Sequence, residues 1–418
     1  MLATKMAPPF SLVAKYICAA VGFYVVLTVL LALNSQGLQG FYFQPKLLAL
    51  THLATLGWIT MTIFGALFQL VPVLLEVPLW SPRLGQWQFW IYLAGVIGLT
   101  FSFWTFAAGW LMDLSAVLIL MAGYSFIGNM ICTMRPVKRW DVTGYFLIAS
   151  LVYLFFTITL GATLAINLGH PFLSRSHLDY LKIHAHLGLA GWVLMIIMGV
   201  ALKLLPMFAL SHDYSLRPAK WAFGFTNVGL VSLIAEQLWA SDAMLLIFAS
   251  GLIVSGLLLY ISQVYLILRQ RVRKSFDTAM KHSIISFASL FVVALLGVLI
   301  STSHLGAEAL DRMTLTYGFL ILFGVISSLI VGQMYKIVPF LVWLKKYAPQ
   351  AGINHVPALK DMVNVMLTKV ELGAFTIGIT AIVAGLIGST QIQVDIGAYI
   401  LAASALLFGY NIIRIFSK

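Results

Sequence analysis

Long apolar runs separated by short polar stretches follow one another along the whole chain. A helix needs about 20 apolar residues to cross the hydrocarbon core of a bilayer. Strands of a membrane barrel would alternate apolar and polar residues in short segments instead. The pattern predicts an all-α polytopic membrane protein, one domain over residues 1–418, with twelve transmembrane helices. The predicted spans are 12–33, 49–75, 86–109, 110–133, 143–167, 183–209, 218–240, 242–268, 281–302, 314–343, 366–389 and 393–415.

Three of these spans contain copies of one motif. Residues 52–72 read HLATLGWITMTIFGALFQLVP and residues 186–206 read HLGLAGWVLMIIMGVALKLLP, with nine of 21 positions identical. Residues 319–339 form a third copy that retains two glycines and the closing proline. The copies are separated by 134 and 133 residues, so each period holds four spans. The sequence therefore predicts three parallel four-helix units. The expected repeats are 12–133, 143–268 and 281–415.

Two glycine positions and one polar position recur in the motif. The first glycine position holds Gly57, Gly191 and Gly324, and the second holds Gly65, Gly199 and Gly332. Glycine lets helices approach closely in lipid, or lets a flat ligand lie against the backbone. Gly57 and Gly191 are therefore candidate cofactor-binding residues. Lys203 and Lys336 lie three residues before the closing prolines, where their side chains are expected to snorkel to the headgroups as anchors.

Composition and charge narrow the class of protein. Hydrophobic residues make up 61% of the chain and charged residues 9%, against about 45–50% and 25% in soluble domains. This excludes a soluble enzyme and a nucleic-acid binder, and makes the lipid bilayer the expected partner. Twelve spans put both termini on one side, and 19 of the 25 Lys and Arg residues fall there. Because Lys and Arg accumulate in cytoplasmic loops, we expect cytoplasmic termini, in a bacterial inner membrane.

Histidines near the outer ends of spans two and six are the main candidate ligands. They are His52, His184 and His186. Ionisable residues inside a membrane are costly and mark functional sites, and neutral imidazole is a common ligand of haem iron, copper and zinc. His184 and His186 point about 200° apart on a helix and so serve neighbouring pockets. One of them can meet His52 across a pocket, as in a bis-histidine haem. Alternatively, all three lie at headgroup depth and bond to water or loop carbonyls.

Other polar residues are secondary candidates. His304, at the outer end of span nine, is a further metal ligand or a group that supports one. Glu236, near the outer end of span seven, is the carboxylate best placed to serve such a site. His282 is predicted to lie on the cytoplasmic side, at the wrong depth. Because the sequence has no CxxCH motif, any haem would be bound non-covalently. The spans contain no chain of acidic residues, which argues against a proton pump.

The motif at residues 52–72 resembles the second helix of subunit I of the haem–copper oxidase superfamily, and the predicted architecture resembles that family over the whole chain. The resemblance implies that His52 binds a low-spin haem, and that His184 or His186 lies in the helix that carries one copper ligand. The chain departs from the family where span seven lacks histidine and where span ten has Tyr317 and Phe319 but no histidine. A complete haem–copper centre is therefore not expected. A looser resemblance is to NnrS-type membrane proteins.

Three functions remain open at this stage. The leading hypothesis is a protein that binds haem b through His52 and one histidine of the 184/186 pair. It would transfer electrons from a donor or partner subunit, or handle nitric oxide or oxygen. A second is a nitric oxide reductase-like enzyme, with copper or another second metal held by the other histidine with His304 or Glu236. A third is a transporter of haem, metal or a small solute.

Overall fold

Helices make up nearly all of the computed structural model, which describes residues 8–240, 242–302, 306–351 and 353–417. These residues contain two isolated β-bridges and no β-strand, so the all-α prediction is confirmed. The long helices are α1 Phe10–Leu33, α2 Pro45–Leu75, α3 Pro82–Thr105, α4 Trp110–Met134, α5 Val142–Gly169, α6 His177–Ala209, α7 Arg217–Ala235, α8 Ala243–Arg269, α9 Thr278–Thr302, α10 Ala307–Lys346, α11 Val365–Ile387 and α12 Gln391–Ser417.

Ten of the helices in the described ranges are long and apolar enough to cross a membrane. This indicates an integral membrane protein surrounded by lipid. Helices α3 and α7 fall outside the ten. The first turns of α3 contain the polar residues Arg83, Gln86 and Gln88, which lower its hydropathy. The count of twelve spans therefore stays a prediction.

Several helices begin earlier than the apolar runs predicted. Helix α2 begins at Pro45 rather than at 49, and α6 begins at His177 rather than at 183. Charged residues continue these helices past the apolar run, and Ser176 caps α6 by accepting a hydrogen bond from the Leu178 N–H at 3.3 Å. His52 consequently lies seven residues inside α2, about 10 Å of axial rise from the first residue of the helix.

The three motif helices share one backbone distortion. A π-helical segment occupies Leu53–Thr60 in α2, Leu187–Leu194 in α6 and Leu320–Ser327 in α10. Each segment begins directly after the residue that opens the motif. Since π-helical turns are rare and concentrate at functional sites, their recurrence at one motif position shows that the sequence repeat is also a repeat of local structure.

The described residues fall into two compact units. Unit 1 holds residues up to 69, 276–293 and 306–417, and unit 2 holds 70–275 and 294–302. In unit 1 the Tyr24 ring stacks on Trp58 with 4.4 Å between centroids. In unit 2 the Trp192 ring meets the edge of Phe126 at 6.3 Å. These boundaries differ from the predicted repeats, and the three-unit arrangement stays a prediction.

In each of the three motif helices, the two motif glycines pack against equivalent positions of the preceding helix. A Cβ added to any second-position glycine would lie 2.7 Å from a Cβ on that helix. The pairs are Gly65 with Tyr16, Gly199 with Phe146 and Gly332 with His282. The first-position glycines contact residues seven positions further along the preceding helix. Those pairs are Gly57 with Phe23, Gly191 with Tyr153 and Gly324 with Ser289.

A second contact recurs between the other helices of each predicted repeat. A glycine on α3, α7 or α11 approaches the backbone of the following helix at two residues four positions apart. The sets are Gly95 with Ser115 and Ile119, Gly229 with Ala249 and Ile253, and Gly378 with Gly397 and Leu401. These glycines allow the close approach that packs helices in lipid. Their contacts also identify which residues correspond to one another in the three predicted repeats.

Candidate functional site

His52 is held by its own helix. The ring Nδ1 lies 2.8 Å from the Leu48 carbonyl oxygen. A carbonyl can only accept, so Nδ1 carries the proton, and in the neutral ring Nε2 carries the lone pair. A metal-ligating histidine usually donates its other ring N–H in this way, which fixes the orientation and tautomer of the ring.

His186 repeats this arrangement at the matching motif position. Its Nδ1 donates to the Lys182 carbonyl at 2.7 Å, again four residues back along the helix. The third copy of the motif has Phe319 there, so it has no imidazole to offer. Two of the three motif helices therefore present a histidine of one tautomer directly before the π-helical segment.

His184 is held by a neighbouring helix instead. Its Nδ1 donates to the Thr157 carbonyl of α5 at 3.1 Å. Its ring lies against Gly161, where an added Cβ would be 2.7 Å from the ring Cε1. His184 and His186 thus make different contacts, although both hold the Nε2 lone-pair tautomer when neutral.

The glycines Gly57 and Gly191 are packed against side chains. A Cβ on Gly57 would lie 2.9 Å from the Phe23 ring, and one on Gly191 would lie 2.5 Å from the Tyr153 ring. The Tyr153 hydroxyl in turn donates to Asn227 Oδ1 at 2.9 Å. Of the two roles considered for these glycines, close helix approach accounts for the contacts seen, and a role in cofactor binding stays a prediction.

His304 and Glu236 are the other residues predicted to serve a metal site. Within the described ranges, no group of three or more His, Cys, Asp or Glu side chains could hold a metal ion. His304 lies outside the described residues. Glu236 is 9% exposed and opens a π-helical turn, Glu236–Ala240, at the end of α7. A second metal therefore stays a prediction.

A buried polar cluster in unit 1 was not predicted from the sequence. The His282 Nε2 of α9 donates to the Glu371 Oε2 of α11 at 3.0 Å, and the two side chains are 0% and 1% exposed. The Tyr335 hydroxyl donates to the same oxygen at 3.4 Å. The Ser404 hydroxyl donates to Glu371 Oε1 at 3.1 Å. A carboxylate and an imidazole thus share one site with two hydroxyl groups.

One signal could have identified this cluster. Glu371 is a carboxylate inside the apolar span predicted at 366–389, and such residues are functional candidates by default. The prediction that His282 lies at the wrong depth concerned the outer histidine site, and it overlooked a partner on another helix. That partner is 89 residues away in sequence.

The two motif lysines form ion pairs at helix starts. Lys203 Nζ lies 2.6 Å from Asp141 Oδ2, and Lys336 pairs with Asp277. Each aspartate precedes the helix that contacts the motif, and accepts a backbone N–H from its first turn. The lysines therefore join two helices rather than acting only as headgroup anchors.

We expect Asp141→Ala to cost about 0.5–2 kcal/mol, because it removes a helix cap. Lys203→Met should cost about 0–1 kcal/mol, since the paired side chains are 41% and 45% exposed. Partial burial raises the pKa of Asp141, but hydrogen bonds from Lys203 and Gly144 outweigh it and hold the pKa below its ordinary value. The stability that Asp141 contributes should therefore be full near neutral pH and be lost as the pH falls through that lowered pKa.

Thermal unfolding of the detergent-purified variants, at neutral and acidic pH, measures both effects. Lys182→Met is the matched control, because Lys182 lies 4.0 Å from Asp179 in an exposed pair. Equal losses of stability in Asp141→Ala and Lys203→Met would contradict the expectation that the helix cap contributes more than the ion pair.

Comparisons with known proteins leave the family open. No family model matches the chain. The chain is 25% identical over 312 residues to an uncharacterized protein of Aquifex aeolicus (strain VF5), covering 74% of this chain and 75% of that protein. Similarity at this level over most of both chains carries no functional assignment.

Proposed function

We propose that the chain is a haem-binding protein of the bacterial inner membrane. It has twelve spans in three four-helix repeats, both termini cytoplasmic and a fold like that of oxidase subunit I. The repeated glycine contacts support the repeat. The observation that carries the haem proposal is the shared tautomer of the three outer histidines, each of which donates Nδ1–H to a backbone carbonyl.

The donor chemistry fits b-type haem. Axial ligation requires a neutral imidazole with a lone pair on one nitrogen, and the carbonyl bonds supply that tautomer at His52 and His186. His52 and His186 would each offer Nε2 to haem iron, because they share the motif position and the bond to their own helix. A haem bound there supplies a one-electron redox centre. The protein supplies ring orientation and binds an electron donor or partner subunit, for electron transfer or the handling of nitric oxide or oxygen.

Optical spectra of the purified protein, oxidised and dithionite-reduced, test this proposal. Sharp reduced α and Soret bands are expected in the wild type and should be lost or become high-spin in His52→Ala and His186→Ala. His212→Ala is the matched control, because His212 is exposed. A colourless protein after expression with ample haem would overturn the proposal. Metal analysis of the same sample decides whether a second metal makes it a nitric oxide reductase-like enzyme.

A transporter of haem, metal or a small solute is the second candidate. It is favoured by an open pocket of about 510 Å³ in unit 1, whose exposed lining atoms are mostly polar. Polar lining residues include Asn34, Ser35, Gln44, Lys46 and Asp395. For a transporter we expect no haem spectrum, and transport in proteoliposomes that tolerates polar substitutions of the histidines.

A further inference from the structure

The Glu371–His282 pair lies on positions that the other repeats fill with uncharged residues. His282 contacts the second motif glycine where the other repeats have Tyr16 and Phe146. Glu371 lies seven residues before Gly378, and Gln88 and Ala222 lie seven residues before the equivalent glycines. Helix packing at these positions therefore does not require a charged pair. Since a buried pair is seldom retained for stability, its presence in one repeat alone points to a function.

The charge of the pair depends on one proton. With His282 Nε2–H bonded to an ionised Glu371, the imidazole is neutral and the buried pair carries one net negative charge. Isolated charge is costly to bury. One further proton makes the pair neutral overall, either as imidazolium with carboxylate or as imidazole with carboxylic acid. If the hydrogen bond between Nε2 and Oε2 is kept, Nδ1 carries a proton in both of these forms and a lone pair in the charged form.

The His282 Nδ1 is available for that proton. It is buried and has no hydrogen-bond partner among the residues that the structure describes. The Tyr24 hydroxyl, which interacts electrostatically with Glu371, is likewise buried without a partner in the described part of the chain. Asn411 is a further buried polar side chain of the cluster and lies beside Tyr335. The cluster thus contains two polar atoms, His282 Nδ1 and the Tyr24 hydroxyl oxygen, that its internal hydrogen bonds do not use.

Polar residues flank the pair along α9 and α10. Ser283, next to His282, accepts a hydrogen bond from the Gln333 amide at 2.9 Å. Lys336, next to Tyr335, pairs with Asp277, and these side chains are 17% and 32% exposed. Asp277 lies five residues before His282 on the chain, about 7.5 Å of helical rise. Both side chains are partly exposed, which makes this end of α9 the candidate point of proton entry.

We propose that Glu371 and His282 form a membrane-embedded proton-binding site. A proton from water at the Asp277–Lys336 end binds to His282 Nδ1, forming one N–H bond and leaving hydroxide in the solvent. The pair becomes neutral, and release reverses the step. The titratable groups facing the pair are Tyr24 of α1 and Tyr335 of α10, and α12 contributes the uncharged Ser404 and Asn411. The charged residues nearest to the pair along the chain are Asp277, Lys281 and Lys369, and Lys336 follows Tyr335.

Nuclear magnetic resonance of the full chain with ¹⁵N-labelled histidine tests the proposal. The probe is the protonation of the two ring nitrogens at neutral pH. The double variant His282→Phe/Glu371→Gln identifies the His282 signals by their absence. It should fold, because Phe146 and Gln88 occupy the equivalent positions in other repeats. Glu371→Gln is the test variant. Glu308→Gln is the matched control, because Glu308 is 89% exposed.

In the wild type and in Glu308→Gln we expect Nδ1 of His282 to be protonated. In Glu371→Gln we expect Nδ1 to lose that proton, which is a loss of one bound proton per chain. An unprotonated Nδ1 in the wild type would overturn the proposal. A ring protonated at both nitrogens in the wild type and in Glu371→Gln would also overturn it, because the carboxylate would then not hold the additional proton. Neither result depends on haem.

Discussion

Replacing His282 alone by phenylalanine is expected to lower the free energy of unfolding by about 3–5 kcal/mol. The change leaves the Glu371 carboxylate buried without its imidazole, and breaking one partner of a buried pair usually costs this much. Tyr335 and Ser404 still donate to the carboxylate, so the loss should fall short of complete unfolding. Adding Glu371→Gln should recover most of it, because no buried charge then remains.

A double-mutant cycle measures this coupling. Denaturant titration in detergent, followed by tryptophan fluorescence, gives the unfolding free energy of the wild type, each single variant and the double variant. We expect the two single losses to sum to well above the loss in the double variant. The exposed residue Thr380, replaced by alanine alone and with His282→Phe, provides a non-interacting pair that should be additive. Additive losses for His282 and Glu371 would contradict a coupled pair.

The sequence repeat predicted more of the fold than the span counting did. Identities between the first two copies placed the motif on α2 and α6, and the third copy falls on α10 with the same π-helical segment. Span counting misplaced the helix starts, because it reads only hydrocarbon-like residues. Capping by Ser176 and the continuation of α2 back to Pro45 do not affect hydropathy. The break between α3 and α4 lies at 106–109 rather than at 109–110, and Phe106 adopts φ 50° there.

The candidate site was predictable only where its residues were local in sequence. His52 and His186 stand out because they open matching motifs, but their common tautomer depends on backbone carbonyls that the sequence does not reveal. Glu371 could have been noticed as a lone acid in an apolar span. Its pairing with His282 could not, because it depends on α9 and α11 meeting in the fold. The positions that correspond to His282 and Glu371 in the other predicted repeats can likewise be identified only from the glycine contacts in the structure.

Among the motif glycines, Gly332 is expected to be the least tolerant of alanine. A Cβ there would lie 2.5 Å from the Ala279 carbonyl oxygen and 2.7 Å from the His282 Cβ. Overpacking of this kind costs about 1–3 kcal/mol. The equivalent carbonyl oxygens are 3.4 Å away at Gly199 and 3.6 Å away at Gly65, so the backbone there has more room.

We therefore expect losses of unfolding free energy in the order Gly332→Ala, then Gly199→Ala, then Gly65→Ala. Gly373→Ala is the control, because nothing lies within 4 Å of its added Cβ, and alanine in a helix should there add about 0.5–1 kcal/mol. The same denaturant titration measures all four variants. Equal effects at the three motif glycines would show that side-chain rearrangement, rather than the approach of the Ala279 carbonyl, limits the packing. Gly332→Ala should also displace the His282 ring from Glu371, because the clash is with the Cβ that carries that ring.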